Sequence, residues 1–148
     1  MFSAARVRAV RFIVPADAKY VSFVRKSVRC IAELMLFGAE EVDDIELAAS
    51  EAAANAVVHG RPDSGKGTIT VECWVDGNTL EVYVEDEGSG ADIPNVCILP
   101  PMQQEHGRGY FLMSRLMDSI RMTCTGKGLL IVMKKTRRPN NRNMARAG

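Results

Sequence analysis

The chain has 148 residues, enough for one domain whose core needs no disulfide or metal staple. Hydrophobic residues make up 47% and charged ones 25%, an ordinary globular balance, and no apolar run is long enough to span a membrane. The formal net charge of +1 hides an asymmetry: the last 15 residues, KKTRRPNNRNMARAG, hold six basic and no acidic residue, while the other 133 hold 13 basic and 18 acidic, near −5.

The first pattern is RAVRFIV at residues 8–14, where Val10, Phe12 and Val14 alternate as a strand that Pro15 closes. Asp17 can cap a helix over residues 18–37, with Val21, Val24, Val28, Ile31 and Met35 as its buried stripe and Gly38 as its stop. A second helix is expected over 41–58, with Ile45, Ala49, Ala52 and Ala56 on its apolar face. Gly60, Pro62 and Gly65 punctuate the loop that follows. TITVECWV at 68–75 and LEVYVED at 80–86 alternate around the turn signal DGN, which predicts a hairpin. GSGADIPN opens a loop that reaches roughly His106, and a short helix is expected over 109–117. SIRMTC and LLIVMKK, joined by TGKG, read as a closing hairpin. This order predicts an α/β two-layer sandwich, a mixed, mostly antiparallel sheet with helices on one face.

The N-terminus lacks the apolar run of a signal peptide. Cys30, Cys73, Cys97 and Cys124 are dispersed and form no CxxC, so reduced, mostly buried thiols in a cytoplasmic protein are expected, with no structural zinc. The domain is expected to occupy 1–135, and 136–148 to form a basic, disordered, solubilising tail rather than a nucleic-acid contact.

Three polar clusters interrupt this scaffold. Glu51, Asn55 and His59 fall at four-residue steps, so they form one stripe along the border of the alanine face. A carboxylate there can act as a base, and an asparagine oxygen is a hard ligand suited to Mg²⁺. A surface stripe with His59 near the helix C-terminus explains the same spacing. In EDEGSGAD, Asp86 ends a strand and is an acceptor suited to an exocyclic amine. Gly88 and Gly90 let a ligand approach the main chain, or simply make a turn. In EHGRGYFLMSRLMD, Gly107 and Gly109 flank Arg108 where a helix start can offer N–H groups to phosphate. Neither a Walker A loop nor a Rossmann fingerprint is present.

In this order the clusters resemble the N, G1 and G2 boxes of the Bergerat-fold (GHKL) ATPase superfamily, which includes gyrase and the histidine kinases. ELAASEAAANAVVHG, VEDEGSG and HGRGYFLMSRLMD are most similar to those boxes in the small bacterial anti-sigma serine kinases of partner-switching systems. The resemblance covers roughly residues 8–135. It implies ATP and Mg²⁺ as cofactors. Asn55 would hold the Mg²⁺, Glu51 would be the general base, and Asp86 would bind the adenine amine between Gly88 and Gly90. Gly107, Arg108 and Gly109 would wrap the phosphates, with His59 beside the pocket.

The resemblance further implies a protein serine/threonine kinase and anti-sigma factor. It would phosphorylate a STAS-domain antagonist, bind a sigma factor and form a homodimer. A same-type kinase with a non-transcriptional output and a non-catalytic nucleotide-binding regulator are the alternatives. Leu129 departs from the pattern, since relatives often carry a threonine near that place. Thr123, Thr125 and Lys127 are the candidates to compensate.

Overall fold

The computed structural model describes residues 5–60, 65, 67–88 and 105–139. Strand β1 runs Val7–Pro15, β2 Thr68–Asp76, β3 Thr79–Glu85, β4 Ser119–Cys124 and β5 Leu129–Thr136. They form one sheet in the order β1-β2-β3-β5-β4, and each of the four pairings is antiparallel. Helices α1 (Val21–Leu34), α2 (Ala39–His59) and α3 (Glu105–Leu116) complete the expected two-layer α/β sandwich.

Alternation decides which side chains meet the helices. Ile69, Val71 and Cys73 on β2, Leu80, Val82 and Val84 on β3, and Leu129, Ile131 and Met133 on β5 all point into the helix-covered core. Each valine or isoleucine buried there contributes about 1.5–3 kcal/mol. Burial pushes the Cys73 thiol up to about 12, so it is an inert packing group. Cys30 and Cys124 are exposed, contrary to the expectation of mostly buried thiols; one lies on the outer face of α1, the other at the end of edge strand β4. Cys97 lies outside the described residues.

The β2–β3 hairpin closes at the DGN signal. Asp76 pairs with Thr79, and Gly77 takes φ 59 while Asn78 does not, as a type II′ turn requires.

α2 is the central helix, packed between α1 and α3 and over the sheet. Its alanines 48, 49, 52, 53 and 56 are all buried, which lets three neighbours approach closely. Gly38 is its N-cap, and the Glu41 carboxylate accepts the Gly38 N–H at 3.2 Å. The same carboxylate accepts the Arg138 N–H at 3.2 Å, so the chain beyond β5 is tied to the start of α2. Residues 140–148, the rest of the expected tail, lie outside the described residues.

Two helix boundaries differ from expectation. Asp17 accepts the Lys19 N–H at 3.0 Å, but it caps a single 3-10 turn over Ala18–Tyr20 that leads into α1. At the other end, Gly38 does not stop α1. The helix closes at Leu34, and Leu36 takes the left-handed position with φ 64. The Leu36 N–H reaches the Glu33 carbonyl at 3.0 Å and the Phe37 N–H reaches that of Ala32 at 3.2 Å, which is a Schellman motif. The buried Phe37 and Ala32 complete its apolar contact.

Among the described residues the opposite face of the sheet carries no helix, and a lattice of polar and aromatic side chains covers part of it. The Arg6 guanidinium lies 3.9 Å from the centre of the Trp74 ring and donates to Glu81 at 2.7 Å and to the Tyr83 hydroxyl at 2.6 Å. Lys134 pairs with Glu81 at 3.1 Å, and Trp74 donates to Glu72 at 2.8 Å. Beside this lattice Val132, flanked by Tyr83 and Arg121 in the sheet, is only 2% exposed.

Candidate active site

Glu51 and Asn55 lie one turn apart on α2, both half-buried. Among the described residues neither side chain has a hydrogen bond or ion pair. α3 crosses directly above them. A Cβ placed on the buried Gly109 would lie 3.1 Å from the Asn55 amide nitrogen and 3.5 Å from a Glu51 carboxylate oxygen. The first and third clusters therefore meet at the α2–α3 contact.

The glycine pair of the third cluster sits differently from expectation. α3 begins at Glu105 rather than 109, so Gly107, Arg108 and Gly109 lie inside its first turns. Gly107 is the third helical residue, so its N–H remains in the free first turn, while that of Gly109 belongs to the helix ladder. Packing overrides the low helix propensity of glycine here, because any side chain at 109 would press on Asn55. Arg108 is exposed and makes no ion pair among the described residues.

The second cluster meets the other end of the stripe. Asp86 is 5% exposed, just past the end of β3. Its Oδ1 accepts the Leu129 N–H at 2.9 Å and the Gly88 N–H at 3.0 Å. Burial raises its pKa, and those two main-chain bonds and the neighbouring His59 offset this only in part. His59, half-buried, is the last residue of α2. A Cβ on Gly88 would fall 2.8 Å from the His59 carbonyl oxygen. Glu87 fixes the same segment by accepting the Thr68 hydroxyl at 2.8 Å and the Thr68 N–H at 3.2 Å. Gly90 lies outside the described residues.

Two glycines that sequence reasoning left as loop punctuation belong here. A Cβ on Gly60 would fall 2.6 Å from the Asp86 carboxyl carbon, and one on Gly128 would fall 2.7 Å from the Gly88 nitrogen. With Gly88 they form a cage around the Asp86 carboxylate. Nothing in the local turn patterns marks them, because the contacts are long-range. Leu129 serves Asp86 through its main chain. Thr125, one candidate to replace a missing threonine, is spent on its own turn, where its hydroxyl accepts the Gly128 N–H at 3.0 Å. Thr123 and Lys127 are exposed.

From Glu51 to Gly60 the stripe extends about 13 Å along α2. One end presents a carboxylate and a carboxamide beneath a helix start, and the other a caged carboxylate. Among the described residues no group of three His, Cys, Asp or Glu could hold a metal. An asparagine oxygen with no protein partner among the described residues is of the hard donor type that suits Mg²⁺, so the residues present at Asn55 fit such an ion.

A family model described as the histidine kinase-like ATPase domain matches residues 14–135. The chain belongs to this family. It is 32% identical over 131 residues to the serine-protein kinase RsbW of Bacillus velezensis, covering 82% of this chain and 81% of that protein. It is 33% identical over 126 residues to the anti-sigma F factor of Clostridium acetobutylicum, covering 81% and 87%. Among solved structures, the RsbU and RsbW domains of Rv1364c from Mycobacterium tuberculosis superpose with a TM-score of 0.65 at 20% identity. That match covers 88% of this chain and 34% of the other, and it carries the fold alone. The family, the Bergerat-type sandwich and the resemblance of the three boxes to those of anti-sigma kinases thus agree. Among the described residues no helix is long and apolar enough to cross a membrane.

Proposed function

We propose that this chain is an ATP-dependent protein serine/threonine kinase and anti-sigma factor of a partner-switching system. The observation that carries this reading is the pair Glu51 and Asn55, half-buried side by side against Gly109 with no protein partner among the described residues. A carboxylate and a carboxamide held at a helix crossing, with their hydrogen-bonding capacity unspent, suit a ligand rather than the fold. The similarity to proteins named serine-protein kinase and anti-sigma F factor supports the same reading.

In this reading the adenine amine donates to Asp86, and Gly60, Gly88, Gly90 and Gly128 leave the base room to reach it. His59 borders the pocket. The phosphates lie toward Asn55 and the start of α3, where the free first-turn N–H groups near Gly107, the Arg108 guanidinium and the close approach at Gly109 receive them. Mg²⁺ on Asn55 Oδ1 would screen the phosphate charge. Glu51 orients the incoming serine or threonine hydroxyl and accepts its proton. As the new bond to the hydroxyl oxygen forms, the bond from the γ-phosphorus to the departing ADP breaks.

The substrate is a hydroxyl of a STAS-domain antagonist, and the added charge weakens its contact with the kinase. Loss of that partner frees the surface on which a sigma factor is held. The chain acts as a homodimer in the cytoplasm, where ATP and the transcription machinery are.

The deciding experiment is phosphoryl transfer from labelled ATP to a STAS-domain protein. Glu51→Ala should lower the transfer rate at least about 100-fold while ATP binding stays within a few-fold of the unaltered chain. Undiminished transfer by that variant would refute the assigned base.

A further inference from the structure

We propose that Lys135 is a positioning residue of the nucleotide site, acting through α3; the proposal rests on the nucleotide reading of that site. Along β5 the residues facing the helices are Leu129, Ile131, Met133 and Lys135, and all four are buried. Lys135 therefore stands where the pattern calls for an apolar side chain, at 4% exposure. Its neighbour Lys134 emerges on the other face and pairs with Glu81. Of the buried charged residues described, Glu81, Asp86 and Lys135, only Lys135 is a cation.

A buried ammonium is costly unless its hydrogens are used. The Lys135 Nζ donates to the carbonyl of Leu116, the last residue of α3, and lies 3.7 Å from a carboxylate oxygen of Asp44 on α2. The Leu116 carbonyl is one of the helix-end acceptors that no intrahelical N–H can satisfy. One side chain thus joins β5, α3 and α2.

Asp118 reinforces the same joint. Its N–H donates to the Lys134 carbonyl at 2.9 Å, and its carboxylate accepts the Thr136 N–H at 2.7 Å. The C-terminal end of α3 is accordingly held to β5 at three points.

The other end of the helix carries the candidate phosphate residues. From Leu116 to Gly109 is about 10 Å along the axis, so a tilt of about 6° at the joint moves Gly109 by about 1 Å. Gly109 faces Asn55 closely enough that a Cβ there would lie 3.1 Å from the amide nitrogen, and a displacement of that size at a catalytic contact can cost on the order of 100-fold in rate. Lys135 sets that tilt. It touches neither nucleotide nor substrate in this arrangement; it fixes the helix that does.

The test uses the full chain with Lys135→Met, which keeps the volume and removes the charge. Equilibrium binding of ATP with Mg²⁺, phosphoryl transfer and thermal melting are measured together. The variant should melt cooperatively, while ATP binding weakens about 10-fold. Gly109→Ala should weaken binding in the unaltered chain, and by a clearly smaller factor when combined with Lys135→Met, because α3 is then no longer held against Asn55.

A purely structural role for Lys135 predicts a lowered melting temperature with unchanged ATP affinity, or strictly additive effects of the two substitutions; either result overturns the proposal. Should Lys135→Met not fold, Asp44→Asn decides, since its side chain is 42% exposed. It should weaken ATP binding about 2–3-fold at unchanged melting temperature, and unaltered affinity overturns the proposal. Failure of the unaltered chain to bind ATP overturns the nucleotide reading itself, and this proposal with it.

Discussion

Glu81 and Asp86 are each 5% exposed, yet their surroundings are opposites. Glu81 lies on the helix-free face of β3. Its desolvation is the largest single influence and pushes its pKa up, but hydrogen bonds from Arg6 and Lys134 together outweigh it and leave the pKa below the usual range. Asp86, just past the end of the same strand, receives main-chain N–H groups on Oδ1 and no salt bridge among the described residues, and its pKa stays above the usual range. One carboxylate is neutralised by side-chain cations of its own chain. The other is held in shape by three glycines, and only main-chain N–H groups and the neighbouring His59 ease its charge among the described residues. Buried charge that the chain's own cations answer in full is structure, and buried charge answered only in part is where a ligand is expected.

The glycine cage gives the strongest way to break this contrast. Gly128→Ala puts a methyl group against the Asp86 carbonyl and the Gly88 nitrogen, which are main-chain atoms that cannot turn aside. A loss of about 3 kcal/mol in unfolding free energy is expected, with ATP binding lost as well. Denaturant titration and equilibrium ATP binding measure the two effects. A stable variant that binds ATP normally would show that the cage does not shape the site.

The two carboxylates themselves sharpen it. Glu81→Gln should lower stability at neutral pH by about 2 kcal/mol, because Arg6 and Lys134 lose their anion. Its folded pKa is depressed, so that stabilisation is present above the ordinary glutamate range and is lost as pH falls through the folded pKa. Asp86→Asn should do the reverse. The raised folded pKa means that ionisation of Asp86 opposes folding, and this cost grows as pH rises from the ordinary aspartate range through the folded pKa. The amide oxygen still accepts both main-chain bonds, so the variant should be at least as stable as the parent at neutral pH while binding ATP much more weakly. Melting curves across pH 3–8 and a binding titration check both signs. Equal pH profiles for the two variants would remove the distinction.

Much of this was legible in the chain. Period-two runs marked the first three strands, SIRMTC and LLIVMKK read as a closing hairpin, and TITVECWV–DGN–LEVYVED marked the β2–β3 hairpin that the structure shows. The alanines of α2 and the three polar clusters were visible because each is local. What stayed hidden was long-range. Gly60 and Gly128 read as turn residues, since their partner Asp86 is distant in sequence. HGRG read as the approach to a helix, since only the contact with Asn55 explains Gly109 inside one. Lys134 and Lys135 read as the end of the closing strand and count with the basic C-terminal stretch, but nothing local shows that β5 sends them to opposite faces to answer two different buried demands.

Leu36 supplies the control that the comparison needs. It also carries a local cost, a left-handed backbone with φ 64, but at the α1–α2 turn, ten residues or more from the polar stripe of α2. A branched side chain in that conformation costs about 1–2 kcal/mol, partly offset on substitution because glycine gains freedom in the unfolded chain. Leu36 is 75% exposed, so little packing is lost with its side chain. Leu36→Gly should therefore stabilise the fold by about 0.5–1 kcal/mol, raising the melting temperature by about 2 °C. ATP affinity and phosphoryl transfer should not change. Strain at a turn can be removed without functional loss, whereas the partly compensated charge at Asp86 cannot. A Leu36→Gly variant that gains stability but loses ATP binding would join the turn to the site and undo the separation between them.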